Sequence, residues 1–505
     1  MIFSRGILIK EFFMKYFNPI VKGFYPDPSV CFAEGKYYMV CSSFQYFPGV
    51  PLFESCDLVN WKQIGHCFTR KSQVQLRDVQ SSGGVFAATI RYNNGRFYVV
   101  TTNATTHQNF YVWTDDIYSE WSEPVFVAQD GIDPSLYFED GKTYFLSNGT
   151  DDNGCGGVVQ CEINIETGEK LSQSRVIWKG SGGRFLESPH MYKIGGEYYL
   201  MAAEGGTEFG HMITYARSSS IWGEFVGYPK NPVLTNRNLG GQMLQGMGHG
   251  DLVQNQNGEW FIIHLGFRQA GDWSPYHHLG REVFMTPVTF GDDGWFTAGN
   301  NGTTELSYEI SGDFAQERKM LETFENTDWN LDWCRLRHPR EENYSLSDSS
   351  VKLTGTDITL DQADSPTFIG IRQKDFCAEI SCNVSASGGE AGITLYMDEQ
   401  HHYDIAVVDG ECGAEAVLKL NIGDIKHIQN CVKLTSPQCR LIVRADNFCY
   451  SFFVSDGSGE IKLGSAQSRY LSSEVAGGFT GVIIGLYALS SGCSGEFTDF
   501  SCQYK

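Results

Sequence analysis

The chain has 505 residues, enough for roughly two to four domains and a sizeable buried core, so a peptide-scale or single-motif protein is excluded. Its 38 Lys and Arg stand against 60 Asp and Glu, and the formal charge of −22 argues against nucleic acid and against anionic membrane surfaces as partners. Aromatics at 14% and 56 Gly beside only 15 Pro suit short strands and tight turns, so the fold class is read as all-β.

Residues 1–14 break their apolar stretch with Arg5, Lys10 and Glu11. No signal peptide or membrane span is expected there, and the segment reads as a disordered or artefactual leader with Met14 as a plausible start. Fifteen cysteines include no Cys-x-x-Cys pair and no zinc spacing, which points to reduced thiols and a cytoplasmic location.

From Asn18 to Pro287 one pattern recurs: a Gly turn, a polar residue, then an aromatic-rich strand. It stands at Gly35-Lys36-Tyr37-Tyr38, Gly95-Arg96-Phe97-Tyr98, Gly141-Lys142-Thr143-Tyr144, Gly196-Glu197-Tyr198-Tyr199 and Gly258-Glu259-Trp260-Phe261. The intervals of 46 to 62 residues suit propeller blades of about 40–50 residues with insertions. Eight or nine residues before each turn Gly stand Asp27, Phe86, Asp133, Glu187 and His249. In a radial array these equivalent positions converge on one axis. The stretch 291–325 reads as an exit and linker. Beyond it, alternating runs such as Ile393–Met397, Tyr403–Val408 and Arg440–Arg444 predict a second all-β domain, a sandwich. The expected organisation is a leader at 1–14, a five-bladed β-propeller at 15–312, a linker at 313–326 and a β-sandwich at 327–505.

Asp27, Asp133 and Glu187 are the candidate chemistry. One Asp-Pro at a strand start is usually a turn residue, but three acids at matched repeat positions raise one another's pKa and are seldom kept for stability alone. Paired carboxyls in a cleft serve glycoside hydrolysis, one protonating the leaving oxygen and the other activating water or attacking the anomeric carbon. Divalent-cation binding with His249 is the rival use, although the flanking aromatics resemble sugar platforms more than a hard-ion cage. Phe44 and Phe86 are candidate pocket walls. Arg281 alone would read as a surface ion pair. Asp140-Gly-Lys-Thr143 is not a phosphate loop, because Leu136 stands where the first Gly belongs.

The chain also resembles glycoside hydrolase family 43, in its branch of β-xylosidases and α-L-arabinofuranosidases with a C-terminal β-sandwich. The markers are Gly23-Phe-Tyr-Pro-Asp-Pro-Ser29, Tyr46-Phe-Pro-Gly-Val50, Asp57-Leu-Val-Asn-Trp61, Ile132-Asp-Pro-Ser135, Glu187-Ser-Pro-His190, Gly248-His-Gly-Asp251 and Leu279-Gly-Arg-Glu282. The resemblance implies an exo-acting, inverting hydrolase that releases terminal β-D-xylose, α-L-arabinofuranose or both from the non-reducing ends of small hemicellulose-derived oligosaccharides, with a xylan 1,4-β-xylosidase favoured. Asp27 would be the general base and Glu187 the general acid, while Asp133 would stay ionised and tune the acid. Arg281 would bind a substrate hydroxyl, His249 would lie beneath the pocket, and Phe479 in Gly477-Gly-Phe-Thr-Gly481 would be a lid. Phe86-Ala-Ala replaces the Trp-Ala-Pro common among xylosidase relatives, which leaves xylose against arabinofuranose open. No cofactor is required by the resemblance, which has room for a structural cation such as calcium near His249, and a homo-oligomer is compatible with it. An arabinofuranosidase alone, another glycan specificity, a sugar-binding propeller without turnover and a cation-stabilised scaffold stand as alternatives.

Overall fold

In four of the five repeats the turn Gly and the residue before it both have positive φ, at Glu34-Gly35, Asn94-Gly95, Asp140-Gly141 and Gly195-Gly196. Two-residue loops of that conformation match the twist of the strands they join, and glycine meets it without Cβ strain. Each pairs its flanking strands directly, as Ala33 with Lys36 and Glu139 with Lys142. The computed structural model describes residues 13–271, 273, 275–324, 330–347, 350–411, 413–457 and 459–505.

Among the described residues the N-terminal half holds five four-stranded antiparallel sheets. Each begins at one edge with a strand that follows a candidate residue or contains it: β1 (Ser29–Ala33), β2 (Thr89–Asn93), β3 (Ile132–Glu139), β4 (Glu187–Ile194) and β5 (Leu244–Gln254). These five pack on one another in a closed ring, β1 on β2, β2 on β3, β3 on β4, β4 on β5 and β5 on β1. Five apolar clusters fill the wedges between neighbouring sheets. Tyr38 meets Phe97 in one wedge, Tyr98 meets Phe145 in the next, and Tyr37 meets Phe261 where the ring closes. The aromatic after each turn Gly is therefore mainly wedge filling, and its burial is the main adhesive between sheets.

Phe13–Phe17 pairs antiparallel with Ser307–Ser311, tying the segment before the first sheet to the one after the fifth. Of the expected leader, residues 1–12 lie outside the described residues, while Phe13 and Met14 belong to this strand. The stretch read as exit and linker is also more ordered than its composition suggests. Phe296–Ala298 is the outer strand of the fifth sheet and Leu321–Thr323 pairs with Ser501–Gln503. Partners far away in sequence supply the ladder bonds that local polarity does not reveal. The expected start of the sandwich at residue 327 falls within 325–329, outside the described residues.

The C-terminal half stacks an eight-stranded sheet on a six-stranded one. The six-stranded sheet has the order β6 (Phe368–Arg372), β11 (Ile483–Leu489), β7 (Glu390–Asp398), β8 (His401–Gly410), β9 (Gly413–Ile422) and β10 (Ile425–Lys433). Ile393, Leu395, Ile405 and Val407 face the eight-stranded sheet in one apolar core. On the opposite face Tyr396, Ile483 and Tyr487 pack with Phe24, Phe44 and Tyr46 of the N-terminal half. Arg372 Nε donates to the Phe24 carbonyl at 2.7 Å across this junction. The described cysteines are all free thiols. Among the described residues no helix is long and apolar enough to cross a membrane.

Candidate active site

Asp27 (φ 55°), Asp133 (φ 53°), Ser188 beside Glu187 (φ 55°) and His249 (φ 45°) all adopt the left-handed backbone conformation. The ladders of β3, β4 and β5 also slip register at these points, between Ile132 and Ser135, between Glu187 and His190, and around Gly248. Such irregularities re-aim side chains that a regular pleat would bury in a wedge.

One cavity of about 60 Å³ gathers them. It is lined by Asp27, Phe44, Phe86, Asp133, Glu187, His249, Arg281 and Phe479, which are all eight residues expected from sequence, together with Ala87, Ile132, Thr207 and His211. Thr207 and His211 were not anticipated. They lie after the Gly205-Gly206 turn, outside the repeat register, and only the neighbouring glycines hint at a close backbone approach. A wider chamber of about 410 Å³ shares Glu187, Thr207, Arg281 and Phe479 with this cavity and continues past Phe185, Phe209 and Glu474.

Asp27 accepts from Arg281 Nη1 at 2.8 Å and from Ser42 Oγ at 2.5 Å. Burial alone would raise its pKa, but Arg281, His249 and the Ser42 hydrogen bond outweigh that and hold the carboxyl below its usual value. Glu187 moves the other way, to about 7, through burial and the nearby Asp27 charge, with Arg281 partly opposing. Asp133 accepts the Ser188 N–H at 3.1 Å. Its carboxyl is driven well above the ordinary range by burial, Glu187 and Asp27. One backbone donor offsets only part of full burial beside two other carboxyls, a pull that runs against the ionised state expected for Asp133. Asp133 and Glu187 titrate as a pair.

His249 Nδ1 stands 3.8 Å from both Asp27 Oδ1 and Asp133 Oδ2, and burial lowers its pKa, leaving it a neutral imidazole at pH 7. Arg281 also donates to Thr207 Oγ1 at 3.0 Å and to the Phe479 carbonyl at 3.2 Å, while its buried Nε has no partner among the described residues. The Phe44 ring stands 5.4 Å from Phe86 and 6.1 Å from Phe479, and Arg281 stacks near both Phe44 and Phe479. Phe479 is fixed by its N–H, which donates to Ser82 Oγ at 2.8 Å. A Cβ at Gly481 would lie 2.5 Å from the Leu279 carbonyl, so the lid loop and the Arg281 loop touch backbone to backbone.

One step further along the inner strands, Arg91 donates to Asp251 at 2.8 Å and to His190 Nδ1 at 2.8 Å. Asp251 also accepts from Ser29 Oγ and from the Tyr192 hydroxyl. A divalent cation beside His249 would need several uncommitted oxygens. Asp27 is committed to Arg281, Asp251 is committed to Arg91, and Arg91 itself brings a guanidinium. These two pairings disfavour a hard dication at that point. Among the described residues no cluster of three or more His, Cys, Asp or Glu side chains is arranged to hold a metal.

The profile of glycosyl hydrolases family 43 matches residues 16–296, and that of a β-xylosidase C-terminal concanavalin A-like domain matches residues 321–503. The chain belongs to glycoside hydrolase family 43 and is a glycoside hydrolase. It is 37% identical to a non-reducing end α-L-arabinofuranosidase of Bacteroides ovatus, over 96% of this chain and 94% of that one. It is 36% identical to a xylosidase/arabinosidase of Butyrivibrio fibrisolvens, over 97% and 98%. Among solved structures, a xylan β-1,4-xylosidase from Bacillus halodurans superposes with a TM-score of 0.90 at 28% identity, over 97% of this chain and all of that one.

Proposed function

We propose that this chain is an exo-acting, inverting pentosidase that removes single β-D-xylosyl or α-L-arabinofuranosyl units from the non-reducing ends of hemicellulose-derived oligosaccharides. One observation carries the reading: within a single small pocket Asp27 is held below its usual pKa while Glu187 is pushed to about 7. A carboxylate beside a carboxylic acid is the division of labour that glycoside hydrolysis needs, and inversion is taken from the family resemblance.

Asp27 takes a proton from the water that attacks the anomeric carbon, while Glu187 gives its proton to the departing glycosidic oxygen. The water's oxygen bonds to the anomeric carbon as the C–O bond to the leaving sugar breaks, and solvent returns Asp27 and Glu187 to their starting states. Asp133 sits against this pair and, by like-charge repulsion, helps keep Glu187 able to donate near neutral pH. Arg281 neutralises Asp27 and offers its free Nε to a substrate hydroxyl. Phe44, Phe86 and Phe479 enclose the sugar ring. The step uses side chains of this chain only.

The narrow cavity behind a wide chamber supports exo action, with one sugar in the cavity and the leaving oligosaccharide in the chamber. We read the five sheets as blades of a five-bladed propeller over residues 15–312, joined through 313–326 to a sandwich over 327–505, a reading supported by the closed ring of inner strands. Free thiols support a cytoplasmic enzyme acting on imported fragments. The relatives' names span both pentoses, so the test compares kcat/KM on p-nitrophenyl β-D-xyloside and α-L-arabinofuranoside, with the anomer first released identified by NMR. Xylotetraose yielding mainly xylobiose, or a product of retained configuration, would overturn the proposal.

A further inference from the structure

The C-terminal half has a pocket of its own. On β8 the side chains alternate: Tyr403, Ile405 and Val407 enter the sandwich core, while His402, Asp404 and Ala406 lie on the other face. Much of that face is covered by the N-terminal half. Toward β10 it is instead roofed by the loop carrying Leu360 and Asp361, which leaves a cavity of about 360 Å³ within the range of small-molecule sites.

We propose that this cavity is a second saccharide site, taking a neutral sugar unit outside the hydrolytic pocket. Its lining carries Asp361, Glu390 and Asp404 against His402, Lys419 and Lys426. His402 lies between Asp404, 2.9 Å from Nδ1, and Asp361, 3.2 Å from Nε2. This sandwich of carboxylates keeps the imidazole protonated, so the six charges cancel. A site of zero net charge has no long-range preference for an anion or a cation. It offers fixed acceptors and fixed donors side by side, the pattern that vicinal hydroxyls satisfy because each both donates and accepts. Tyr487 donates to Glu390 at 2.5 Å and Lys419 pairs with the same carboxylate, so these groups are pre-oriented. Leu360, Ile428 and Leu489 supply apolar patches against which the C–H faces of a sugar ring can lie. The family reading enters only in choosing pentose oligosaccharides as the probe.

The test is calorimetric titration of xylotriose and of an arabinosylated xylotriose into the full-length Asp27→Asn protein. Two sites per chain are expected, the second weaker. Lys419→Met, which removes a fixed donor, and Ile428→Trp, which fills the cavity from an exposed position, should each abolish the second site. In the otherwise wild-type protein both should leave aryl-pentoside hydrolysis within about twofold. Circular dichroism checks that each variant is folded, and Ile428→Trp leaves the ion pairs intact should Lys419→Met unfold the sandwich. One site in the Asp27→Asn protein, or a second site that survives both substitutions, overturns the proposal. Two sites with no hydrolysis of either aryl pentoside would instead overturn the catalytic reading and leave this one standing.

Discussion

Replacing Arg281 with Met should move the whole pH profile upward. The guanidinium lies 2.8 Å from Asp27, both groups are buried, and Arg281 also holds down the carboxyls of Glu187 and Asp133. An opposite charge at such range lowers a carboxyl pKa by about 1–3 units, and each unit corresponds to about 1.4 kcal/mol. Asp27 must be ionised to accept a proton, so raising its pKa carries the acid limb of kcat/KM up by about 1–3 pH units. Glu187 must be protonated to donate, so losing its cation carries the alkaline limb above its starting point near 7. The assay is kcat/KM on an aryl pentoside from pH 4 to 10, with Arg281→Lys as the control that keeps the charge and should keep the limbs nearer their places. A large loss of kcat/KM with both limbs unmoved would mean that Arg281 only binds substrate, and would refute the electrostatic argument.

Phe479→Ala should raise KM for xylobiose about tenfold, roughly 1.4 kcal/mol, because one face of the ring enclosure disappears, while kcat changes less; an unchanged KM would deny the lid role. Arg91→Met leaves the buried Asp251 without its guanidinium partner and should cost about 3–5 kcal/mol, read as a large drop in Tm, whereas millimolar EDTA should leave the wild-type activity unaltered. A drop in activity with EDTA that added calcium restores would contradict the fit of the donors around His249. His402 provides a pH test of the sandwich. Burial disfavours its charge, but Asp404 and Asp361 outweigh it and bring the pKa to about 9. The associated stability, up to about 3 kcal/mol, is complete below the unfolded value near 6.5 and is lost as pH rises through 9. Thermal unfolding of the wild type should show this fall, and His402→Gln should flatten it.

The repeat register was legible because it rests on local chemistry. A left-handed residue before a Gly fixes four of the five hairpins, and an aromatic follows to fill a wedge. Counting back from Gly141 or Gly196 then finds Asp133 or Glu187 with no knowledge of the fold. What stayed hidden depends on contacts across the ring. Nothing near Arg91 in the chain reveals that it meets Asp251, 160 residues away. Thr207 and His211 follow no repeat position. The upward pull on the Asp133 carboxyl follows from burial, which no motif encodes. The pairing of Phe13–Phe17 with Ser307–Ser311 was equally invisible, because a lone short strand declares itself only through its partner.

The left-handed backbone at Asp27, Asp133 and His249 makes each of these positions a socket whose shape is set by the kink and not by the side chain it holds. An alanine placed there removes the functional group and also leaves a Cβ in a conformation that alanine resists, whereas asparagine tolerates it. Asparagine replacements at the two aspartates therefore separate chemistry from backbone strain, and the difference between the Asn and Ala variants at one socket measures how much of the site's geometry the kink itself maintains.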